Sequence, residues 1–159
     1  MRQDPVAPKP DVGLQEQNRD MKRSISCTFA AALLVPPLAV AQASKFDGTW
    51  NVTLTCPATN EAGGAKGYTH MFPAEVKDGN LLGLYGKEGE LGSQRLSGHI
   101  SNDGNANLRL DGIVNNPDYA INKAPTGKAF TYQVRAKFEQ SSGVGQRTSG
   151  RGCEFRFSR

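Results

Sequence analysis

The side chains best suited to chemistry in this chain of 159 residues are two histidines and three cysteines. His70 and His99 fall on opposite faces of the strands predicted below, so we do not expect them to share a site. The sequence contains no G-x-S-x-G or H-E-x-x-H motif and no glycine-rich phosphate loop that opens a helix. We therefore expect a protein that is not an enzyme and that uses no cofactor.

The cysteines are better suited to a disulfide than to a metal site. Cys27 lies in an N-terminal segment that we expect to be removed, which leaves Cys56 and Cys153. Two thiols without a C-x-x-C motif are too few for a zinc site. An even pair of cysteines in an exported domain is typical of a disulfide. The sequence therefore predicts a Cys56–Cys153 disulfide and no bound metal.

The segment from Met21 has the three parts of a secretory signal peptide. Met21-Lys22-Arg23-Ser24 is basic, residues 25–40 form an apolar run, and Ala41-Gln42-Ala43 ends it with small residues. A membrane anchor is disfavoured because the run is shorter than the roughly 20 residues of a span and Pro36-Pro37 interrupts it. We interpret residues 21–43 as a signal peptide and expect no membrane span in the mature chain.

Cleavage is predicted between Ala43 and Ser44, and a cut after Ala41 also satisfies the small-residue rule. Residues 1–20 are polar and proline-rich. We interpret them as a non-native or disordered leader ahead of a translation start at Met21. The mature domain then spans residues 44–159 and is periplasmic or extracellular.

The charge of the mature domain argues against a nucleic-acid partner. The full chain has a formal net charge of +4, and residues 1–43 hold five basic and four acidic residues. Subtracting their net +1 from +4 leaves +3 for residues 44–159. These charges are interspersed and form no basic run, so we expect no binding to nucleic acid.

Apolar and polar residues alternate repeatedly through residues 44–159, and no window has a helical period. Turn signals such as Asp78-Gly79-Asn80 separate the alternating windows. The windows predict seven strands, residues 119–121 offer an eighth, and residues 141–145 are interpreted as a turn. The seven predicted strands are residues 46–56, 68–77, 81–86, 95–101, 106–114, 130–139 and 151–158.

The short connections predict an all-β antiparallel meander of seven to eight strands closed into a small barrel, because closure removes the exposed edges. A β-sandwich is the alternative architecture. Cys56 shares the inward face of Trp50, and Cys153 shares that of Phe155, so both cysteines point into the core. A disulfide between the first and the last strand therefore favours closure of the sheet.

Gly48-Thr49-Trp50 resembles the G-x-W motif that begins the first strand of calycin-type barrels, which include lipocalins, avidins and small bacterial periplasmic protease inhibitors. Asp118-Tyr119 is similar to a later D-Y element of lipocalins. The mature chain as a whole also resembles short exported bacterial proteins without an assigned activity. The calycin resemblance implies an arginine from the last strand across Trp50, and the strand phase puts Arg156 on the outer face.

Four inward-facing residues combine a ring with a polar atom: Trp50, Tyr68, His70 and Tyr132. Such groups in an apolar cavity orient small ligands, so we interpret these four as candidate ligand-binding residues. The alternative for His70 is a core histidine that is hydrogen-bonded to a backbone carbonyl or a tyrosine hydroxyl. The bulk of the inward aromatic residues favours an interior that is largely filled and open at one end.

These features predict an exported monomeric barrel that binds a small apolar ligand or an envelope component and catalyses no reaction. The alternative is a protease-inhibitor-like or other protein-interaction module that acts through the loops at residues 56–67 or 115–127. An internal cavity favours the first function, whereas a filled core with a protruding loop favours the second.

Overall fold

Eight antiparallel strands form a closed barrel in the computed structural model, which describes residues 44–60 and 63–159. Each strand pairs with the next along the chain, and β8 pairs with β1. This confirms the all-β closed meander and excludes the β-sandwich. The predicted leader (1–20) and signal peptide (21–43) lie outside the described residues. The strands are β1 (Gly48–Cys56), β2 (Tyr68–Lys77), β3 (Asn80–Tyr85), β4 (Gln94–Ile100), β5 (Asn105–Ile113), β6 (Ala129–Phe138), β7 (Ser142–Arg147) and β8 (Glu154–Ser158).

The predicted eighth strand, residues 119–121, is not a strand in the structure. Tyr119 ends one short 3₁₀ turn, Pro117–Tyr119, and Ile121 begins another, Ile121–Lys123, with Ala120 between them. The first turn is capped by Asn116, whose side-chain oxygen accepts a hydrogen bond of 2.9 Å from the backbone N–H of Asp118. Within the described residues, no helix is long and apolar enough to cross a membrane.

The eighth strand is β7, which begins in a segment whose sequence predicts a turn, residues 141–145. Its inward positions are Gly143 and Gly145, which give no apolar period to read. A Cβ at Gly145 would lie 2.9 Å from the Cβ of Ala136, and one at Gly143 would lie 3.1 Å from Phe138 Cδ1. The side chains of β6 therefore occupy the space in front of β7, and a larger residue at either position would require them to shift.

One end of the barrel is filled by aromatic side chains. Trp50 is fully buried, and its Nε1 donates a 2.8 Å hydrogen bond to the backbone carbonyl of Phe46. Its ring packs edge-on against Phe138, with 5.3 Å between centroids, and Phe138 lies 4.6 Å from Phe157. These residues lie near the start of β1 and the ends of β6 and β8, so they close the end of the barrel at which β1 begins.

Arg159 covers Trp50 at this filled end. Its guanidinium carbon lies 4.8 Å from the centroid of the Trp50 ring. The same guanidinium donates hydrogen bonds of 2.8–3.0 Å to three backbone carbonyls, those of Lys45, Asp47 and Gln140. The last residue of the chain is thereby tied to the segment that precedes β1.

A disulfide joins Cys56 and Cys153, as the sequence predicts. The pairing of β1 with β8 extends to Thr55 and Glu154, so the cysteines are the next residues along the two strands, with 4.2 Å between their Cα atoms. The bond links residues 97 positions apart. Closing a loop of that length stabilises the folded state by about 4–5 kcal/mol in the chain-entropy model.

Replacing Arg159 with alanine is expected to lower the free energy of unfolding by about 1–2 kcal/mol, because the change removes a cation–π contact and three hydrogen bonds. The matched control is Arg156→Ala: Arg156 faces outward from β8 and pairs with Glu154 at 2.6 Å. Exposed ion pairs contribute about 0–1 kcal/mol, so this control should change stability less. Urea unfolding of the oxidised protein measures both values, and equal losses would contradict the role assigned to Arg159.

Candidate functional site

A cavity of about 510 Å³ opens at the other end of the barrel, where the odd-numbered strands end and the even-numbered strands begin. Its lining combines apolar and aromatic surface with a few polar side chains. The apolar lining includes Ile113, Val114, Ile121 and Phe130, and the polar lining includes Tyr68, His70, Gln94, Tyr132, Arg147 and Arg151.

Three of the four candidate ligand-binding residues line this cavity: Tyr68, His70 and Tyr132. Trp50 does not, because it is buried at the filled end. Strand alternation indicates which face a residue lies on but not its height along the barrel axis. Trp50 lies near the start of β1, whereas Tyr68 is paired with Cys56 at the end of β1. We therefore assign Trp50 to packing and not to the cavity.

His70 is held in a stack of rings at the cavity wall. Its imidazole is nearly parallel to the ring of Tyr85, at 8° and 3.9 Å between centroids, and the ring of Tyr68 lies 4.7 Å away. Burial lowers the pKa of His70, and the nearby Gln94 side chain opposes this only in part. The imidazole is therefore neutral at pH 7, with one donor and one acceptor nitrogen.

Four buried side-chain atoms have no hydrogen-bond partner among the described residues: His70 Nδ1, Gln94 Oε1, Tyr132 Oη and Arg147 Nε. All four belong to residues that line the cavity. Buried polar atoms in folded proteins nearly always have a partner, and an unpartnered one costs about 1–3 kcal/mol. Their convergence on one cavity is the arrangement expected where a bound molecule supplies the missing partners.

Arg151 organises the rim of the cavity. Its side chain is buried, and its guanidinium donates hydrogen bonds of 2.5–3.1 Å to four backbone carbonyls. These acceptors lie on the end of β1, on the loop that follows it and on the first 3₁₀ turn: Cys56, Pro57, Lys66 and Tyr119. One side chain thus joins three separate segments around the cavity.

Residues 115–124, which we call the cover segment, contribute to the lining from the connection between β5 and β6. A salt bridge of 2.7 Å between Lys66 and Asp118 holds this segment, and the backbone N–H of Lys66 donates to the carbonyl of Asp118 at 2.8 Å. Lys66 lowers the pKa of the Asp118 carboxyl, so the pair stays charged at neutral pH. The cover segment is therefore anchored at two points, through Lys66 and through Arg151.

Arg147 lines the cavity and lies over the ring of Tyr132. Its guanidinium carbon is 4.2 Å from the centroid of the Tyr132 ring. Burial raises the pKa of the Tyr132 phenol, so its hydroxyl remains protonated at pH 7. The cation–π contact holds both polar groups at the cavity.

Sequence reasoning missed three of the polar lining residues: Gln94, Arg147 and Arg151. Gln94 lies one position before the predicted strand 95–101 and in phase with Leu96. Arg151 begins the predicted strand 151–158 in phase with Cys153, so the same alternation places both residues on the inner face. Arg147 gave no such signal, because the glycines before it hide the strand that carries it.

The described part of the chain contains no group of three or more His, Cys, Asp or Glu side chains that could hold a metal ion. None of the protein-family models, curated proteins or solved structures compared with the chain matches it.

The stability of the protein is expected to decrease as the pH falls below about 6.5, where an unfolded histidine binds a proton and folded His70, with its lowered pKa, does not. The loss grows with falling pH until the folded pKa is passed. His70→Gln should reduce this pH dependence, as measured by thermal unfolding between about pH 7.5 and 5. His99→Gln, which removes an exposed histidine, should retain it. Equal slopes in wild type and His70→Gln would contradict the prediction.

Proposed function

We propose that this protein is an exported, non-catalytic barrel that binds one small, mostly apolar ligand in the cavity at its open end. One observation carries this proposal: a preformed cavity coincides with the four unpartnered buried polar atoms found in the described residues.

The size and the lining of the cavity support this function. Ligand pockets in proteins usually measure about 300–1,000 Å³ and combine apolar walls with a few polar groups that orient the ligand. The cavity has a volume of about 510 Å³. Phe130, Ile113 and Ile121 contribute apolar surface, and the unpartnered polar atoms provide the orienting groups.

The rigidity of the wall is a second support. Tyr68, His70, Gln94 and Tyr132 lie on strands of a closed sheet. The disulfide and the hydrogen bonds of Arg151 lie at the rim of the same end. A site whose groups are already in place loses little conformational freedom when it binds a ligand, so more of the interaction energy appears as affinity.

The two loops considered for protein interaction have a different role in this proposal. Residues 56–67 and 115–127 both contain carbonyls that accept hydrogen bonds from Arg151. The loops are thereby held at the rim of the cavity. We propose that they position the ligand site, and that a protein-interaction function through them remains the alternative.

Export follows from the predicted signal peptide and agrees with a disulfide, which is typical of oxidising compartments. N-terminal sequencing of the protein from the envelope or secreted fraction is expected to begin at Ser44. A mature protein that retained residues 1–20 would contradict the proposal.

Binding in the cavity is tested by calorimetric titration with two planar two-ring probes, 2-naphthoate and 2-naphthamide. At least one of them is expected to bind with one site per chain. Ala124→Trp adds an indole to the half-buried cover segment inside the lining and should weaken that binding at least about tenfold, since a clash of about 1.4 kcal/mol suffices.

The matched control is Lys128→Trp, which adds the same ring at an exposed position outside the lining and should leave probe affinity unchanged. Failure of both probes to bind the wild-type protein would contradict the proposed function. An equal loss of affinity in the two tryptophan variants would place the binding site elsewhere.

A further inference from the structure

The cavity carries positive charge that no described carboxylate neutralises. Arg147 and Arg151 form no ion pair with any Asp or Glu of the described residues. None of the described lining residues is acidic. Asp118, in the cover segment, is already paired with Lys66 and Lys123. Charges interact more strongly where water is excluded, so this cavity favours an anion.

The two arginines differ in what their nitrogen atoms contact. Arg151 donates from Nε, Nη1 and Nη2 to backbone carbonyls, so its hydrogen bonds serve the rim. Arg147 has a buried Nε without a partner among the described residues. A guanidinium with an unused donor in a cavity wall is a ready partner for an anionic ligand group.

Arg147 is positioned by the protein around it. Its guanidinium lies over the ring of Tyr132, and its backbone N–H donates a 3.0 Å hydrogen bond to the carbonyl of the disulfide-bonded Cys153. A Cβ at Gly150 would lie 3.2 Å from Arg147 Nη2, and the φ of Gly150 is +73°. Glycine therefore lets the turn after β7 pass close to the guanidinium, and the cation is placed before any ligand arrives.

The electrostatics of the two arginines also favour an anion in the cavity. Burial lowers the pKa of the Arg151 guanidinium, and the like charge of Arg147 adds to this shift. A single anion near both cations would stabilise both. The protonated hydroxyl of Tyr132 is a second donor that lies in the same lining.

We infer that the ligand is a small aromatic carboxylate, whose head group binds the guanidinium of Arg147 and the hydroxyl of Tyr132 and whose rings lie against the apolar lining. A planar guanidinium can form two parallel hydrogen bonds to a carboxylate, which is a match of geometry as well as of charge. This inference rests on the proposed function, because it names the chemical class of ligand for the same cavity.

The comparison of 2-naphthoate with 2-naphthamide tests the inference, since the probes share their rings and differ in charge. The wild-type protein with its disulfide intact should bind 2-naphthoate about 10- to 100-fold more tightly, the effect of a charge-assisted hydrogen bond. Arg147→Gln should bring the two affinities to within about threefold of each other. Arg135→Gln, on the exposed face of the neighbouring strand β6, should retain the full preference.

Two further variants keep the test decisive if Arg147→Gln fails to fold. Arg147→Lys retains a positive charge but not the planar donor pair, so it should weaken 2-naphthoate binding and leave 2-naphthamide binding unchanged. Tyr132→Phe should weaken 2-naphthoate binding without lowering the thermal midpoint, because the hydroxyl that it removes has no partner among the described residues.

The outcomes separate this inference from the function on which it rests. Equal wild-type affinities for the two probes would overturn the carboxylate inference and leave the binding function in place. An Arg147→Gln variant whose affinity falls equally for both probes would also overturn the carboxylate inference and leave the binding function in place. If neither probe binds the wild-type protein, the binding function and the inference fail together.

Discussion

The pairing of β1 with β8 is the contact on which the rest of the structure depends. It joins the first and last strands from Asn51–Ser158 to Thr55–Glu154, and with it the sheet becomes a closed barrel. Bringing such distant segments together has an entropic cost that grows with the length of the loop between them. The Cys56–Cys153 disulfide lies at the cavity end of the β1–β8 pair and offsets part of that cost. At the other end, the contact between Arg159 and Trp50 stabilises the pairing.

The inward side chains differ between the two ends of the barrel. At the filled end, large aromatic rings meet across the axis and leave Trp50 fully buried. At the cavity end, several inward residues are polar, such as His70, Gln94 and Tyr132, and the cover segment contributes to the lining. Gly112 contributes here, because a Cβ at this position would clash with the Phe130 ring and displace it from the cavity wall.

A barrel with unpartnered polar atoms at one end is less stable than one whose interior is completely packed. The cavity end contains four such atoms within the described residues, each with a cost of about 1–3 kcal/mol. The long-range disulfide and the packed aromatic end supply stability that tolerates this cost. Unpartnered buried polar groups are expected mainly at functional sites. In the described residues of this barrel, all four such atoms belong to residues that line the cavity.

Alternation along the chain, read from the sequence alone, determined the fold class, the inward face of most strands and the disulfide. Successive side chains of a strand point to opposite sides, so residue types record which side is buried. The same logic found Tyr68, His70 and Tyr132 as inward polar residues. The alternation did not predict β7, because the inward positions of this strand are glycines and have no apolar side chains.

Only the tertiary structure decided which inward residues meet at the cavity. Trp50 and Tyr68 share a face, but the register of β1 and β2 puts them at opposite ends of the barrel. The arginine over Trp50 is Arg159 and not Arg156, because it follows β8 and turns back over the end of the barrel. The four carbonyls around Arg151 come from residues up to 95 positions away in sequence. These contacts depend on the stagger of neighbouring strands and on the paths of loops, which no periodicity in a single segment records.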